Sequence, residues 1–164
     1  MTSGNDAVVD ALHANASDIL RYLQRRLGDE APDVLGETML VAWRRARDMP
    51  VDATQARMWL FGIARMSVVG HGRDASRLLR LADRLHGLVD PIVWPDDDIA
   101  IDVRDAIASL PEEQAELVRL VHWEGFSLAD AAQVMGLNAS TARGRYQRAR
   151  EELSRLLAVT VERR

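Results

Sequence analysis

Apolar residues recur at three- and four-residue intervals along most of the chain, and this period predicts helices from end to end. In the first half, helices are expected near residues 6–27, 31–48 and 54–73, separated by Gly28 and by a turn at Met49 to Asp52. Leu35, Met39, Ala42 and Ala46 make an apolar stripe on the second of these, and Leu60, Ile63, Ala64 and Val68 make one on the third. Residues 74–87 extend as a basic, leucine-containing helix. The segment GLVDPIVWPDDD then carries two prolines and three consecutive aspartates, which suits a linker over 88–98. Beyond it, helices are expected near 99–109, 112–123, 127–134 and 139–157, with Pro111 starting the second. The fold class is therefore all-α: two small helical domains, 1–87 and 99–164, joined by a flexible linker.

The most specific local pattern lies between Leu110 and Leu153. Ser127 precedes a short amphipathic helix with Asp130 three places on, an N-cap with a capping-box-like partner, and Leu128, Ala131, Ala132 and Met135 recur at helical spacing. Gly136 stands where a helix ends in a left-handed residue, and Asn138 or Ser140 can cap the next helix after a tight corner. On that next helix Ala142, Tyr146, Ala149 and Leu153 form one seam, which leaves Arg143, Arg145, Arg148 and Arg150 to face outward. Arginines on the N-terminal half of an exposed helix can bond guanine edges or clamp phosphates, and the helix N-terminus itself favours a phosphate. A solvated basic helix pairing with Glu151 and Glu152 is the plainer alternative. The capped helix and glycine corner in front of it favour nucleic acid.

Composition refines this picture. A formal net charge of −4 is unusual for a DNA-binding chain, but the excess acid lies outside the arginine-bearing helix, so local charge is the better guide. A hydrophobic share of 48% is enough for two small cores in 164 residues. There is no cysteine, hence neither a disulfide framework nor a thiolate zinc site. The polar, acidic N-terminus and the lack of a long apolar run predict neither a signal peptide nor membrane insertion. His13, His71, His86 and His122 are scattered without a ligand pair at i and i+4, and no phosphate loop or nucleophile elbow occurs, so no metal, cofactor or enzymatic activity is expected.

Taken together, LPEEQ, EGFSLADAAQVMGL and STARGRYQRAREEL resemble the promoter-reading domain four of bacterial extracytoplasmic-function sigma factors, members of the sigma-70 family. ILRYLQRRLGDEAPDVLGETMLVAWRRAR followed by ARMWLFGIAR resembles domain two of the same family. Both matches occur in the expected order and cover most of the chain. The resemblance implies a cytoplasmic sigma factor that directs core RNA polymerase to specific promoters for transcription initiation. Its implied partners are core RNA polymerase, promoter DNA and an anti-sigma factor.

Residue by residue, the resemblance implies that Ser140, Thr141, Arg143, Gly144, Arg145, Gln147, Arg148 and Arg150 bind the minus-thirty-five element. Asp33, Glu37, Trp43 and Arg44 are implied to dock on core polymerase, although Trp43, four after Met39, also fits a packed stripe. Arg57, Trp59, Phe61, Arg65, Met66, His71 and Arg73 are implied at the minus-ten element, where a flipped base needs an aromatic or apolar pocket and the strand a basic groove.

The chain departs from the family pattern at Gly36, Met66 and Gly70, which stand where glutamine, asparagine and aspartate are usual. Gly36 weakens the docking helix, and Gly70 and Gly72 are expected to loosen the end of the third helix. These departures motivate an alternative, a sigma-like interaction protein that binds polymerase or an anti-sigma factor without melting promoters. A response-regulator output module would explain the helix-turn-helix but leaves residues 19–73 without a role.

Overall fold

The computed structural model describes residues 4–83 and 98–162, with side chains covered over 4–72 and 103–159. The chain divides into two compact units, Met1–Val89 and Asp90–Arg164, and the described residues contain helices and no strand. Of the expected linker, residues 88–97 lie outside the described residues, and Asp98 already opens a helix.

In the first unit, α1 (Gly4–Leu27), α2 (Ala31–Arg44) and α3 (Ala53–Asp83) pack pairwise around one core. Helix α1 buries Val8, Leu12, Asn15, Ile19, Tyr22 and Leu23, a row at helical spacing, and ends at Gly28, whose φ of 57° suits a residue without a Cβ. Asn15 is the polar member of that row, and it is satisfied: its amide donates to the Ala11 carbonyl at 2.8 Å and its oxygen accepts from Arg57 at 3.0 Å. Arg57 also reaches Asp18 at 2.9 Å, which ties α3 to α1. Asp52 caps α3 by accepting from the Gln55 amide at 2.9 Å.

Two expectations for this unit need correction. The buried row of α2 is Ala31, Val34, Thr38 and Ala42, so of the expected stripe Ala42 is buried, Leu35 and Met39 lie one residue off the row with Met39 exposed, and Ala46 falls beyond the helix. Thr38 belongs to the core because its hydroxyl donates to the Val34 carbonyl at 2.8 Å, which removes the desolvation penalty that a polar side chain would otherwise carry there. Helix α2 stops at Arg44 rather than at residue 48, and a one-turn 3₁₀ segment, Ala46–Asp48, follows. Helix α3 carries Gly70 and Gly72 and runs on to Asp83, which covers part of the expected 74–87 extension.

In the second unit, α4 (Asp98–Ala108), α5 (Glu112–His122), α6 (Leu128–Val134) and α7 (Ala139–Glu162) match the four expected helices to within a residue, except that α7 runs five residues further. Pro111 occupies the position before α5, at φ −51° and ψ 140°, and so turns the chain into the helix from outside it. Ile107, Leu110, Ala115, Val118 and Ala149 form a core cluster, with Val103, Trp123, Tyr146 and Leu153 packed against it.

Candidate nucleic-acid interface

The second unit builds its basic helix on a well-defined corner. The Ser127 hydroxyl accepts from the Asp130 amide at 3.1 Å and starts α6. At its other end Gly136 adopts φ 67°, the Leu137 amide donates to the Ala132 carbonyl at 2.8 Å, and the Gly136 amide donates to the Gln133 carbonyl at 3.1 Å. That is the Schellman arrangement, and it turns the chain sharply within a few residues. Between the two cap candidates, Asn138 takes the role: its side-chain oxygen accepts from the Thr141 amide at 2.8 Å and from the Ser140 hydroxyl at 2.9 Å.

Helix α7 then seats Ala142 and Ala149 fully buried, with Tyr146 and Leu153 partly buried beside them. Ser140, Arg143, Gln147, Arg148 and Arg150 are exposed, while Thr141 and Gly144 are half-buried. Among the described residues Arg143, Arg148 and Arg150 enter no ion pair, so their donors are available to an outside acceptor. Gln147 donates to Glu151 at 3.3 Å.

Arg145 departs from the expectation that all four arginines face outward. Three residues after Ala142 and four before Ala149, it flanks the buried seam, and its guanidinium donates to the Glu113 carboxylate on the first turn of α5. On the opposite flank, Tyr146 meets His122 at the end of α5, with the hydroxyl 2.8 Å from Nε2 and the rings stacked at 6.1 Å between centroids. Sequence reasoning missed Glu113 and His122. Both are separated from their partners on α7 by more than twenty residues, and only the crossing of the two helices brings them together.

In the first unit, Asp33, Glu37, Trp43 and Arg44 all lie exposed on α2. Trp43 retains 44% of its surface, so of its two readings the packed-stripe one is set aside. Met39 and Leu40 stand exposed beside it and were missed as surface residues, because the apolar pattern placed Met39 in the buried stripe.

The minus-ten candidates on α3 do not form one cluster. Trp59 and Met66, two turns apart, lie along one side of the helix; Trp59 is half-buried with the Arg45 guanidinium 5.9 Å from its ring, and Met66 is 61% exposed. Arg65 is half-buried. His71 is drawn elsewhere, its Nε2 lying 2.5 Å from a Glu30 carboxylate oxygen. Phe61 is a correction: it is fully buried, edge-on to Tyr22 with centroids 5.4 Å apart, and cannot stack on an extruded base. Arg57 covers the Phe61 ring at 4.7 Å and is committed to Asn15 and Asp18. Hydrogen bonds from Arg21 and then Arg57 hold the Asp18 carboxyl below the usual aspartate range, against the opposing effect of burial. The Arg73 side chain lies outside the described residues.

Among the described residues no helix is long and apolar enough to cross a membrane. Residues 100–153, which contain the capped corner and the basic helix, match the family Sigma-70, region 4. Over 147 residues the chain is 30% identical to the ECF RNA polymerase sigma factor SigL of Mycobacterium tuberculosis, spanning 85% of this chain and 82% of that protein. It is 35% identical over 144 residues to the ECF RNA polymerase sigma factor SigM of the same organism, spanning 84% and 69%. Among solved structures it is similar to the sigma factor RpoE from Bartonella quintana in complex with the anti-sigma factor NepR, with a TM-score of 0.69, 25% identity, and coverage of 90% of this chain and 94% of that one. CnrH, solved with the cytosolic domain of CnrY, shares the fold at a TM-score of 0.57 and 23% identity, with 94% and 97% covered.

Proposed function

The chain belongs to the ECF RNA polymerase sigma factors, and from that premise we propose how its two helical units divide the work of directing core polymerase to promoters. The second unit enters the major groove of the minus-thirty-five element with α7. The observation that carries this reading is the basic face itself: a capped corner aims the N-terminal half of α7 outward, and Arg143, Arg148 and Arg150 on it have no partner within the described residues. The positive end of the helix dipole lies at Ser140 and Thr141 and favours a phosphate there. The protein forms and breaks no covalent bond; it supplies position and recognition.

The first unit holds polymerase and assists opening of the minus-ten region. Exposed Leu40 and Trp43 offer an apolar centre, and Asp33, Glu37 and Arg44 supply charge around it, the composition of a protein-binding face with a polar surround. On α3, Trp59 and Met66 supply the aromatic and apolar contacts for an unpaired strand, with Arg65 beside them as the cation. Phe61 and Arg57 support that helix from within. The protein acts in the cytoplasm, where polymerase and promoter are, and an anti-sigma factor covers the apolar face of α2 when the factor is idle. The similar sigma factor RpoE, solved in complex with the anti-sigma factor NepR, supports the existence of such a partner.

Run-off transcription tests the reading. Core polymerase with this chain is expected to give transcripts from a promoter that core alone does not use. Binding to core without any transcript would favour an interaction protein instead.

A further inference from the structure

We propose that Glu113 and His122 are positioning residues for minus-thirty-five readout: through Arg145 and Tyr146 they fix the rotation of α7 about its own axis and so decide which side chains enter the groove. The proposal rests on the assignment of α7 as the recognition helix.

The need for such a device follows from the seam. At the crossing with the rest of the unit, the fully buried residues of α7 are Ala142 and Ala149, two methyl groups that let the helices approach closely, while the larger seam residues Tyr146 and Leu153 are only partly buried beside them, so the polar ends on the flanks set the fine rotation. Rolling matters at the DNA surface. A turn of about 10° carries a guanidinium about 9 Å from the helix axis through roughly 1.5 Å, whereas a productive polar contact tolerates about 0.5 Å.

Two polar struts flank the seam and oppose rolling in both directions. Arg145 and Tyr146 are adjacent in sequence, so they leave α7 about 100° apart, one on each side of the alanine row. Their partners stand at opposite ends of α5: Glu113 in its first turn and His122 at its last residue. A roll in either direction stretches one strut. Neither needs to contribute much to folding, and an ion pair as exposed as Glu113 to Arg145 contributes little. Their effect is on orientation. Arg145 is thereby a brace on α7 and not a reader of bases.

The test uses holoenzyme reconstituted from core polymerase and the full chain, on promoter duplexes selected by the unmodified protein from a randomised pool. Glu113→Gln and Tyr146→Phe, singly and together, are compared for preference between the selected minus-thirty-five element and single-base changes in it. Circular dichroism melting of the same proteins is measured in parallel. The double variant is expected to lose preference on the order of tenfold, the scale of one misplaced base contact, with each single variant losing less and the unfolding midpoint staying within a few degrees. A charge swap, Glu113→Arg with Arg145→Glu, restores the strut and is expected to regain preference lost in Glu113→Arg alone, even though Arg145 is gone. Unchanged preference in the double variant, or no recovery in the swap, overturns the proposal. A fall of the midpoint in step with preference also overturns it, since the pairs would then be acting through stability. If the unmodified holoenzyme selects no element at all, the functional assignment fails and this inference with it.

Discussion

Replacing Phe61 separates the inside of α3 from its working face. The ring is fully buried, meets Tyr22 edge-on at 79°, and carries the Arg57 guanidinium over it at 4.7 Å. Phe61→Ala removes the transfer free energy of the ring and leaves a cavity, which in comparable cores costs about 3–5 kcal/mol. The aromatic pair is worth about 0.5–1.5 kcal/mol of that. Against a domain stability of roughly 5–15 kcal/mol this is a severe loss, and it lowers the melting midpoint of the first unit by on the order of 20 °C. Trp59→Ala is the contrasting change. Trp59 is half-buried and its contact with Arg45 spans 5.9 Å, so the loss should be limited to about 1–2 kcal/mol, while open-complex formation falls because an aromatic platform for the strand is gone. Urea unfolding followed by circular dichroism reads the first effect, and permanganate footprinting of unpaired thymines reads the second. If Phe61→Ala kept its unfolding midpoint yet abolished thymine reactivity, the ring would belong to the strand-binding face and the packing described for α3 would be wrong.

Arg148→Ala and Arg150→Ala should lower the slope of log affinity against log salt by about one each, the signature of a lost phosphate contact, whereas Arg143→Ala should relax sequence preference at one position; duplex binding across a salt series measures both. Asn138→Ala, which leaves the Thr141 amide uncapped, should destabilise the second unit by about 1 kcal/mol in urea titration. Gly36→Ala should stabilise the first unit by up to about 1 kcal/mol, since the glycine is helical, has an ordinary negative φ and has open space where a Cβ would stand. Because the Asp18 pKa is depressed in the folded state, its stabilising effect is present above the unfolded value and is lost as pH falls below about 4; Asp18→Asn should therefore flatten the acid limb of stability, by less than about 1 kcal/mol given its exposure. Met66→Asn with Gly70→Asp should raise permanganate reactivity on a cognate promoter by restoring polar groups able to bond a base edge.

The helices of the second unit were legible because each signal there is local. Ser127, Gly136 and Asn138 specify the corner through bonds to residues three to five positions away, and the alanine seam repeats at a helical period. The register of α2 was not legible in the same way. Its core row includes a threonine whose hydroxyl is satisfied by its own helix, so the apolar pattern alone pointed one residue aside and hid the exposed faces of Met39 and Leu40. Phe61 and Arg57 carried the right chemistry for a strand-binding site, but packing against α1 claimed them. Arg145 illustrates the same limit at the DNA face: its partner Glu113 lies 32 residues away, beyond the reach of any periodicity.

The most direct measurement is run-off transcription from a genomic promoter pool with purified core polymerase, comparing core alone, core with this chain, and core with the Arg143→Ala, Arg148→Ala, Arg150→Ala variant. Discrete transcripts that appear only with the unmodified chain, and that share one upstream element, are the expected result. A chain that binds core but yields no new transcript, or a triple variant that transcribes the same promoters equally well, would contradict promoter direction through α7.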